Sequence, residues 1–388
     1  MGCSVMKRFV FALMLGCTSP TYVFAQRAVD VHLVETIDIA SVARGGDRDR
    51  TYVLDDTDLT ADADLARLVG WQGARAHVHV MSTMGGRPND AAGALQGVDN
   101  IEVASHHLRL FEAWVEQRIG EHSTVRAGAY DLNSEFYANG SAGLLISPSF
   151  GAGSELAASG PNGPSIFPST ALTVRVEHRF DHFGYVRAAA LNGAAGCLGD
   201  PHGIDFSFRH GLLLIGEAGV ERPGFKLAGG YWRYTKRHAD YTEVDADGVP
   251  LQHIDHGGYA IAELQVLGGE GKRSLTVFGR AGMSGGAATP FQGGWQAGFL
   301  VERLIAGRPD SQASFGMSRG VTTPGYRAML LDEGARPSRA ETTFELTYSD
   351  RLAKWLTVQP DLQFITDRGG VEKARGVVVG TLRLTIAF

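Results

Sequence analysis

Polar and apolar residues alternate with a period of two in segments spread along the whole chain. In residues 171–180 the even positions Leu172, Val174 and Val176 are apolar, whereas the odd positions between them are polar or charged. Alternation of this kind is typical of β-strands whose two faces meet different surroundings. The same pattern recurs in residues 73–80, 259–266, 344–348 and 356–364. We therefore predict an all-β protein.

A soluble β-sandwich would also alternate, but two details favour a transmembrane barrel. The polar faces carry Arg and Glu in mid-strand, as a water-filled lumen would require, and aromatic residues lie near strand ends. Aromatic side chains form girdles at the two interfaces of such barrels. The predicted girdle residues are Trp232, Tyr234, Tyr348, Trp355 and Phe364.

The last segment of the chain strengthens this interpretation. Its apolar face is unbroken and consists of Val378, Gly380, Leu382, Leu384, Ile386 and Phe388. Thr381, Arg383 and Thr385 form the polar face. A final strand that ends on Phe resembles the assembly signal of bacterial outer-membrane proteins. Because open sheet edges cannot be satisfied in lipid, the sheet must close. We predict a transmembrane antiparallel β-barrel with long loops on one side.

The beginning of the chain has the features of a secretory signal peptide. Lys7 and Arg8 precede a short apolar run at residues 9–16, and small residues lead to a cleavage site after Ala25. The run is too short to span a bilayer as a helix. We predict a signal peptide at 1–25 and one barrel domain at 26–388. Residues 55–68 are an exception. They could form a short helix or an acidic, calcium-like loop, or they could simply be a periplasmic or luminal segment; the apolar residues that suggest the helix are Leu59, Ala63, Leu65, Ala66 and Leu68.

Composition and charge narrow the class of protein. The 51 glycines suit turns and closely packed strands better than helices. The net charge of −6 gives no basic surface for nucleic acid. Two of the three cysteines lie in the predicted signal peptide, so the single remaining one, Cys197, cannot form an intramolecular disulfide.

Four segments of the chain resemble the carbohydrate-selective, OprB-like porin family. They are LQGVDNIE at 95–102, RAGAYDLNSEFY at 126–137, SGPNGPSIFPSTAL at 159–172 and LTVQPDLQFITDRGG at 356–370. The resemblance implies a monomeric barrel of sixteen strands in the bacterial outer membrane that passes mono- or small oligosaccharides by facilitated diffusion. The segment at 139–159 is shorter than is usual in the family, and His106 and His107 depart from its pattern.

Charged side chains on the polar faces are the candidates for lining the pore. Arg donates hydrogen bonds to sugar hydroxyls and carboxylates accept them. Successive weak contacts would favour sugars without trapping them. The predicted pore-lining residues are Arg75, His77, Glu112, Glu116, Arg126, Asp131, Asn133, Glu135, Arg175 and Arg187. Tyr130 or Tyr231 could stack on a sugar ring. In residues 108–119 the odd and the even positions each contain polar and apolar residues, so the sequence does not show which face of that strand points to the lumen.

Several alternatives to a sugar channel remain open from the residues. The charges could only hydrate and brace the wall of a general diffusion porin, or the lumen could be plugged. An outer-membrane enzyme is a further class, but the G-x-S-x-G match at 282–286 lacks the helix that a nucleophile elbow needs. His77 and His79 share a face, yet the sequence identifies no third metal ligand, so we expect solvated histidines. We predict a channel that is not an enzyme and has no cofactor.

Overall fold

A computed structural model describes residues 28–181, 183–198, 203–269 and 271–388, and the predicted signal peptide lies outside them. The described chain is built mainly of β-strands. These are β1 Val29–Arg44, β2 Arg50–Asp64, β3 Ala74–Gly85, β4 His107–Ile119, β5 Ser123–Tyr130, β6 Ala171–Arg179, β7 Gly184–Asn192, β8 Leu212–Arg222, β9 Phe225–Tyr234, β10 His238–Val244, β11 Pro250–His253, β12 His256–Leu267, β13 Ser274–Ser284, β14 Phe291–Glu302, β15 Gln312–Thr322, β16 Ala340–Ala353, β17 Leu356–Thr366 and β18 Val377–Ala387. The short helices are α1 Leu65–Val69, α2 Asn89–Ala92, α3 Ser154–Ala157 and α4 Pro324–Asp332.

Sixteen of these strands form one closed antiparallel barrel, and β10 and β11 form a separate hairpin. Each barrel strand pairs with its neighbours in sequence, except that β9 pairs with β12 across the hairpin. The barrel closes where β1 pairs with β18, from Val34 opposite Ala387 to Ser41 opposite Gly380. The closed barrel and the strand number that the family resemblance implied are confirmed. Among the described helices, none has the length and apolar character needed to cross a membrane.

The connections differ strongly between the two ends of the barrel. At one end they are short, such as residues 120–122 and 223–224. At the other end lie the long connections, which include residues 86–106, 131–170 and 323–339. The prediction of long loops on one side is therefore confirmed.

The alternation in β6 places its residues as the sequence predicted. Val174 and Val176 are about half exposed on the outer wall, whereas Thr173 and Arg175 are buried inside the barrel. Apolar side chains on the outer face of such a barrel meet lipid. The face assignment of this strand is therefore confirmed.

Val176→Arg should destabilise the barrel in lipid by ~2–4 kcal/mol, the usual effect of Arg near the bilayer midplane on a lipid-facing wall. Thr276→Arg is the matched control, because Thr276 faces the lumen side of β13 opposite Gln265 of β12. Urea unfolding in liposomes measures both variants. Equal destabilisation by the two substitutions would contradict the assignment of faces.

Residues 55–68, which the sequence left as a short helix or acidic loop, are for the most part strand. β2 continues to Asp64, and only α1 at Leu65–Val69 is helical. The Asp64 carboxylate ends the strand by accepting the backbone N–H of Ala66 at 3.0 Å, as an N-cap. The prediction of a helix or loop over the whole segment is wrong because the polar residues Asp55 and Thr57 lie on the outer face of β2 and interrupt the apolar face where the segment begins.

The ambiguous phase of β4 has a structural cause. His79 of β3 lies opposite Glu112, but the next residue, Val80, lies opposite Leu110. Phe111 is therefore the extra residue of a β-bulge, which shifts the strand by one position. Odd residues face the lumen before the bulge and even residues, including Glu116, face it afterwards. Glu112 and Glu116 are thus on the lumen side.

The prediction of aromatic girdles is wrong for two residues. Trp232 and Tyr234 are fully buried on the lumen side of β9, where the Tyr234 hydroxyl lies 3.2 Å from Ser159 Oγ of an inserted loop. Tyr231, suggested as a sugar platform, instead lies on the outer wall and is half exposed. Trp232 and Tyr234 therefore pack inside the barrel against the loop at residues 131–170, and neither faces a membrane interface. Trp355 and Phe364 are exposed, as a girdle requires.

Candidate functional site

Two long connections fold back into the barrel, and we name them the first luminal loop (residues 86–106) and the second luminal loop (residues 131–170). Carboxylates on the lumen wall hold them there by accepting backbone N–H groups. In the first luminal loop the N–H groups of Leu95 and Gln96 donate to Glu341 of β16 at 2.8 and 2.9 Å. The amide of Gln363 in β17 donates to the carbonyl of Val98 at 2.8 Å.

The second luminal loop is held in the same way from several strands. The N–H of Tyr137 donates to Glu217 of β8 at 3.0 Å, and that of Gly140 donates to Glu263 of β12 at 2.8 Å. Glu345 of β16 accepts the N–H of Ser147 at 3.0 Å. Charge-assisted hydrogen bonds of this kind are stronger than neutral ones. The loop therefore covers the wall from β8 to β16 and narrows the lumen.

Glycines in the wall allow this close approach. A Cβ atom added at Gly316 of β15 would lie 2.5 Å from a ring carbon of Phe150 in the second luminal loop. At Gly282 of β13 it would lie 2.1 Å from the Tyr137 hydroxyl. Part of the high glycine content is thus explained by packing between wall and loop, since only a residue without Cβ leaves room there.

Opposing charges meet on β3 to β7, beside the start of the second luminal loop. We name six residues the arginine–glutamate cluster: Arg75, Glu116, Arg126, Glu135, Arg175 and Arg187. Glu116 accepts from Arg75, Arg126 and Arg175, with its nearest contacts at 2.7, 2.9 and 2.8 Å. Glu135 binds Arg175 through two nitrogens, at 2.6 and 2.8 Å. All six were predicted from the sequence as pore-lining residues, and the structure brings them together.

Aromatic rings fix the orientation of the guanidinium groups. The Arg126 guanidinium carbon lies 3.8 Å from the centre of a Trp114 ring and 4.9 Å from that of Tyr130. The Tyr130 hydroxyl donates to Glu135 at 2.6 Å. Cation–π contacts strengthen when they are shielded from water. Tyr130 is fully buried beneath the cluster, so it stabilises the arginines rather than presenting a ring to the lumen.

Charge keeps the cluster ionised at neutral pH. Burial by itself would raise the pKa of Glu135, but the guanidinium groups of Arg126, Arg175 and Arg187 lower that pKa to about 2. Asp131 behaves in the opposite way. Burial and the negative charge of Glu112 raise its pKa to about 8, so its carboxyl group is mainly protonated at pH 7.

The remaining predicted residues lie next to the cluster but have other contacts. Asp131 caps a short turn, since its Oδ1 accepts the N–H of Asn133 at 2.9 Å. Its own N–H donates to Glu112 at 2.8 Å. The Asn133 amide donates to the Phe136 carbonyl at 3.2 Å within the loop. His77 stacks on Trp114 with ring centres 5.1 Å apart. These contacts fix the start of the second luminal loop against β3 and β4.

Sequence reasoning missed several residues of this region. Trp114 was hidden by the β4 bulge, and Asp58 and Asp62 lie in the segment whose alternation is masked. Asp58 and Asp62 face the lumen and contact His79 and His77 at 2.6 and 2.9 Å. The signal that could have found them is the run of polar residues at every even position from 56 to 64.

A closed sixteen-stranded barrel with an apolar outer wall, a charged lumen and loops folded inside defines a channel of the porin class. The chain belongs to the carbohydrate-selective porin, OprB family, whose model matches residues 50–388. The segments at 95–102 and 126–137, which carry the resemblance in sequence, contribute to the luminal loops and to β5. The chain is accordingly an outer-membrane channel for carbohydrate uptake, in a family of channels and not of enzymes.

Individual relatives agree with this assignment. Porin B of Pseudomonas aeruginosa is 24% identical over 391 residues, which cover 90% of this chain and 85% of that protein. The high-pH structure of Pseudomonas putida OprB has a TM-score of 0.82 at 22% identity and covers 93% of this chain and 94% of its own. A mutant porin of Rh. blastica has a TM-score of 0.53 at 10% identity, covering 93% and 100%. These structures share the barrel fold.

Proposed function

We propose that this channel passes mono- or small oligosaccharides by facilitated diffusion and selects them at the arginine–glutamate cluster. The observation that supports this is the unequal exposure of its arginines. The side chain of Arg75 is 49% exposed, whereas that of Arg175 is 2% exposed, although both bind Glu116. Arg75 can therefore offer N–H groups to a solute, while Arg175 holds the carboxylates in place.

This division of labour combines two roles that the sequence left as alternatives. Arg126 and Arg187 are nearly as buried as Arg175, so we assign them to bracing the wall and the loop. Glu135 is 17% exposed and is the better candidate for accepting sugar hydroxyls. Asp131 accepts a backbone N–H and Arg126 pairs with Glu116 and Glu135 rather than with Asp131. We therefore place the donor at Arg75 and the acceptor at Glu135.

Export and assembly complete the proposal. The signal peptide at 1–25 directs the chain out of the cytoplasm and is removed, and the barrel faces outer-membrane lipid with the apolar wall of β6 and β18. The family resemblance supports a monomer. Sugar transit is passive, because a ladder of weak hydrogen bonds needs no energy source and no cofactor.

Arg75→Ala should raise the half-saturation concentration for a monosaccharide by about 2- to 10-fold, which corresponds to one lost hydrogen bond of about 0.5–1.5 kcal/mol. Glu116 keeps Arg126 and Arg175, so the barrel and its ion conductance should be preserved. Sugar-dependent block of single channels in planar bilayers measures this. Arg87→Ala is the matched control, because Arg87 is 48% exposed and pairs with Asp90 in the first luminal loop.

Liposome swelling with a sugar and with an amino acid of similar size tests the assignment itself. We expect sugar flux to saturate in the wild type and to saturate later in Arg75→Ala. Sugar flux that is linear with concentration in both proteins would contradict a sugar-binding site. It would show that the channel behaves as a general diffusion porin.

A further inference from the structure

A group of metal-ligating side chains lies in the lumen wall, apart from the arginine–glutamate cluster. His77 and His79 of β3 point to the same side, and the bulge in β4 turns Glu112 towards them. Each of the three offers a ligand atom, and these atoms all lie within 4.8 Å of one another. The sequence suggested the two histidines but identified no third ligand. The third ligand comes from the neighbouring strand, 33 positions after His79.

The spacing of these atoms suits one small cation. His77 Nε2 lies 3.8 Å from Glu112 Oε2, which is too long for a hydrogen bond. Two ligands of a tetrahedral zinc ion, each about 2.0–2.2 Å from the metal, lie about 3.3–3.5 Å apart. A small rotation of either side chain therefore brings both atoms to coordination distance.

Carboxylates behind the histidines provide a second, independent observation. Asp62 Oδ1 lies 2.9 Å from His77 Nδ1, and Asp58 Oδ1 lies 2.6 Å from His79 Nε2. A carboxylate on one ring nitrogen fixes the tautomer and makes the other nitrogen a better metal ligand. At His77 the carboxylate occupies Nδ1 and leaves Nε2, the nitrogen that lies 3.8 Å from Glu112, for an ion. Such carboxylate–histidine pairs are typical of metal sites.

Surrounding charge also favours a cation. Asp58, Asp62 and Glu112 are all acidic, and the nearest arginine on the strand, Arg75, is directed to Glu116 at 2.7 Å. The His77 and Glu112 side chains are 14% and 13% exposed, so an ion can enter from the lumen and keep a water as a further ligand. Imidazole with one carboxylate suits zinc and similar transition metals rather than Mg²⁺ or Ca²⁺.

We propose that His77, His79 and Glu112 bind one divalent transition-metal ion, with Zn²⁺ as the representative, and that this ion partly blocks the channel. The site borders the arginine–glutamate cluster through Trp114, which stacks on His77 and lies beneath Arg126. A bound ion adds positive charge and volume to the wall beside the proposed sugar contacts. Sugar flux and cation conductance should fall when the ion binds.

The test uses the mature barrel in detergent, without a histidine tag and stripped with EDTA. All proteins carry His253→Ala, which removes a second group of possible ligands, Asp240, Glu243 and His253, on the β10–β11 hairpin. Titration with Zn²⁺ by calorimetry, and with Co²⁺ followed by its visible absorption, should show one ion per barrel. His77→Gln and Glu112→Gln should abolish this binding, and Asp62→Asn should weaken it by about 10-fold or more.

His256→Gln serves as the control, because His256 is exposed at the start of β12 and contacts the Ile254 carbonyl. It should bind Zn²⁺ as tightly as the parent. In planar bilayers, Zn²⁺ should lower the conductance of the parent and of His256→Gln but not of His77→Gln. Absence of binding at micromolar Zn²⁺, or binding that survives both His77→Gln and Glu112→Gln, would overturn the proposal. Sugar flux measured in EDTA tests the proposed function separately.

Discussion

Arg175→Met is expected to loosen the second luminal loop by about 3–5 kcal/mol, the usual result of removing one partner from a buried ion pair. The Arg175 guanidinium binds Glu116 of the wall and, through two nitrogens, Glu135 of the loop. Methionine fills a similar volume but leaves Glu135 with Arg126 at 3.3 Å as its closest remaining ion pair in the cluster. The barrel should stay folded, because its strand pairing does not depend on this contact.

The loosened loop should be visible in two measurements. Proteolysis of the second luminal loop in the intact barrel should become faster, and single-channel conductance should rise and fluctuate. Arg175→Lys is the conservative control, since it keeps the charge but loses the two-nitrogen contact, and it should lie between the parent and Arg175→Met. The double variant Arg175→Met with Glu135→Gln should recover much of the loss. Parent-like behaviour of Arg175→Met would show that the loop is held without the cluster.

Gly316→Leu is expected to displace the middle of the second luminal loop and to raise ion conductance several-fold. An added Cβ would lie 2.5 Å from Phe150 Cε1 and 2.6 Å from Leu145 Cδ1, so a leucine side chain cannot fit while both residues stay in place. Overpacking of this kind usually destabilises by about 1–3 kcal/mol. The loop has no strand pairing to resist the change, and a barrel of this size without it leaves an open aqueous channel.

Gly216→Leu is the matched control for this substitution. Gly216 lies on the outer face of β8, where an added Cβ has only the Arg187 carbonyl within reach, at an ordinary 3.8 Å. Its conductance and its sugar saturation should equal those of the parent. For Gly316→Leu, sugar flux should become linear with concentration. A narrow, saturable channel in that variant would mean that the loop does not form the constriction.

The sequence by itself determined the fold and the faces of the strands in which polar and apolar residues alternate. Alternation in β6 and β18 is a local property, because each side chain faces lipid or lumen according to its own position on the strand. The unbroken apolar face that ends at Phe388 indicated a membrane sheet, and such a sheet has to close. The four arginines of the arginine–glutamate cluster could be identified for the same reason, since each lies at a lumen position of its own strand, whereas Glu135 lies in the second luminal loop.

Only the tertiary structure decided how those residues pair and which of them a solute can reach. The sequence suggested Arg126 and Asp131 as pore-lining residues, but Arg126 binds Glu116 and Glu135, and Asp131 caps a short turn. Arg175 and Glu135 are 40 residues apart and meet because the second luminal loop folds back into the barrel. Periodicity along one strand carries no information about such a contact.

The remaining errors of sequence reasoning have equally physical causes. The bulge at Phe111 reverses the parity of β4, so Glu112 could not be recognised as a neighbour of His77 and His79. Trp232 and Tyr234 are residue types that are common in interfacial girdles, yet the inserted loop buries them in the lumen. Position along a strand fixes the side on which a residue lies, whereas its partners depend on how distant segments pack together in the lumen.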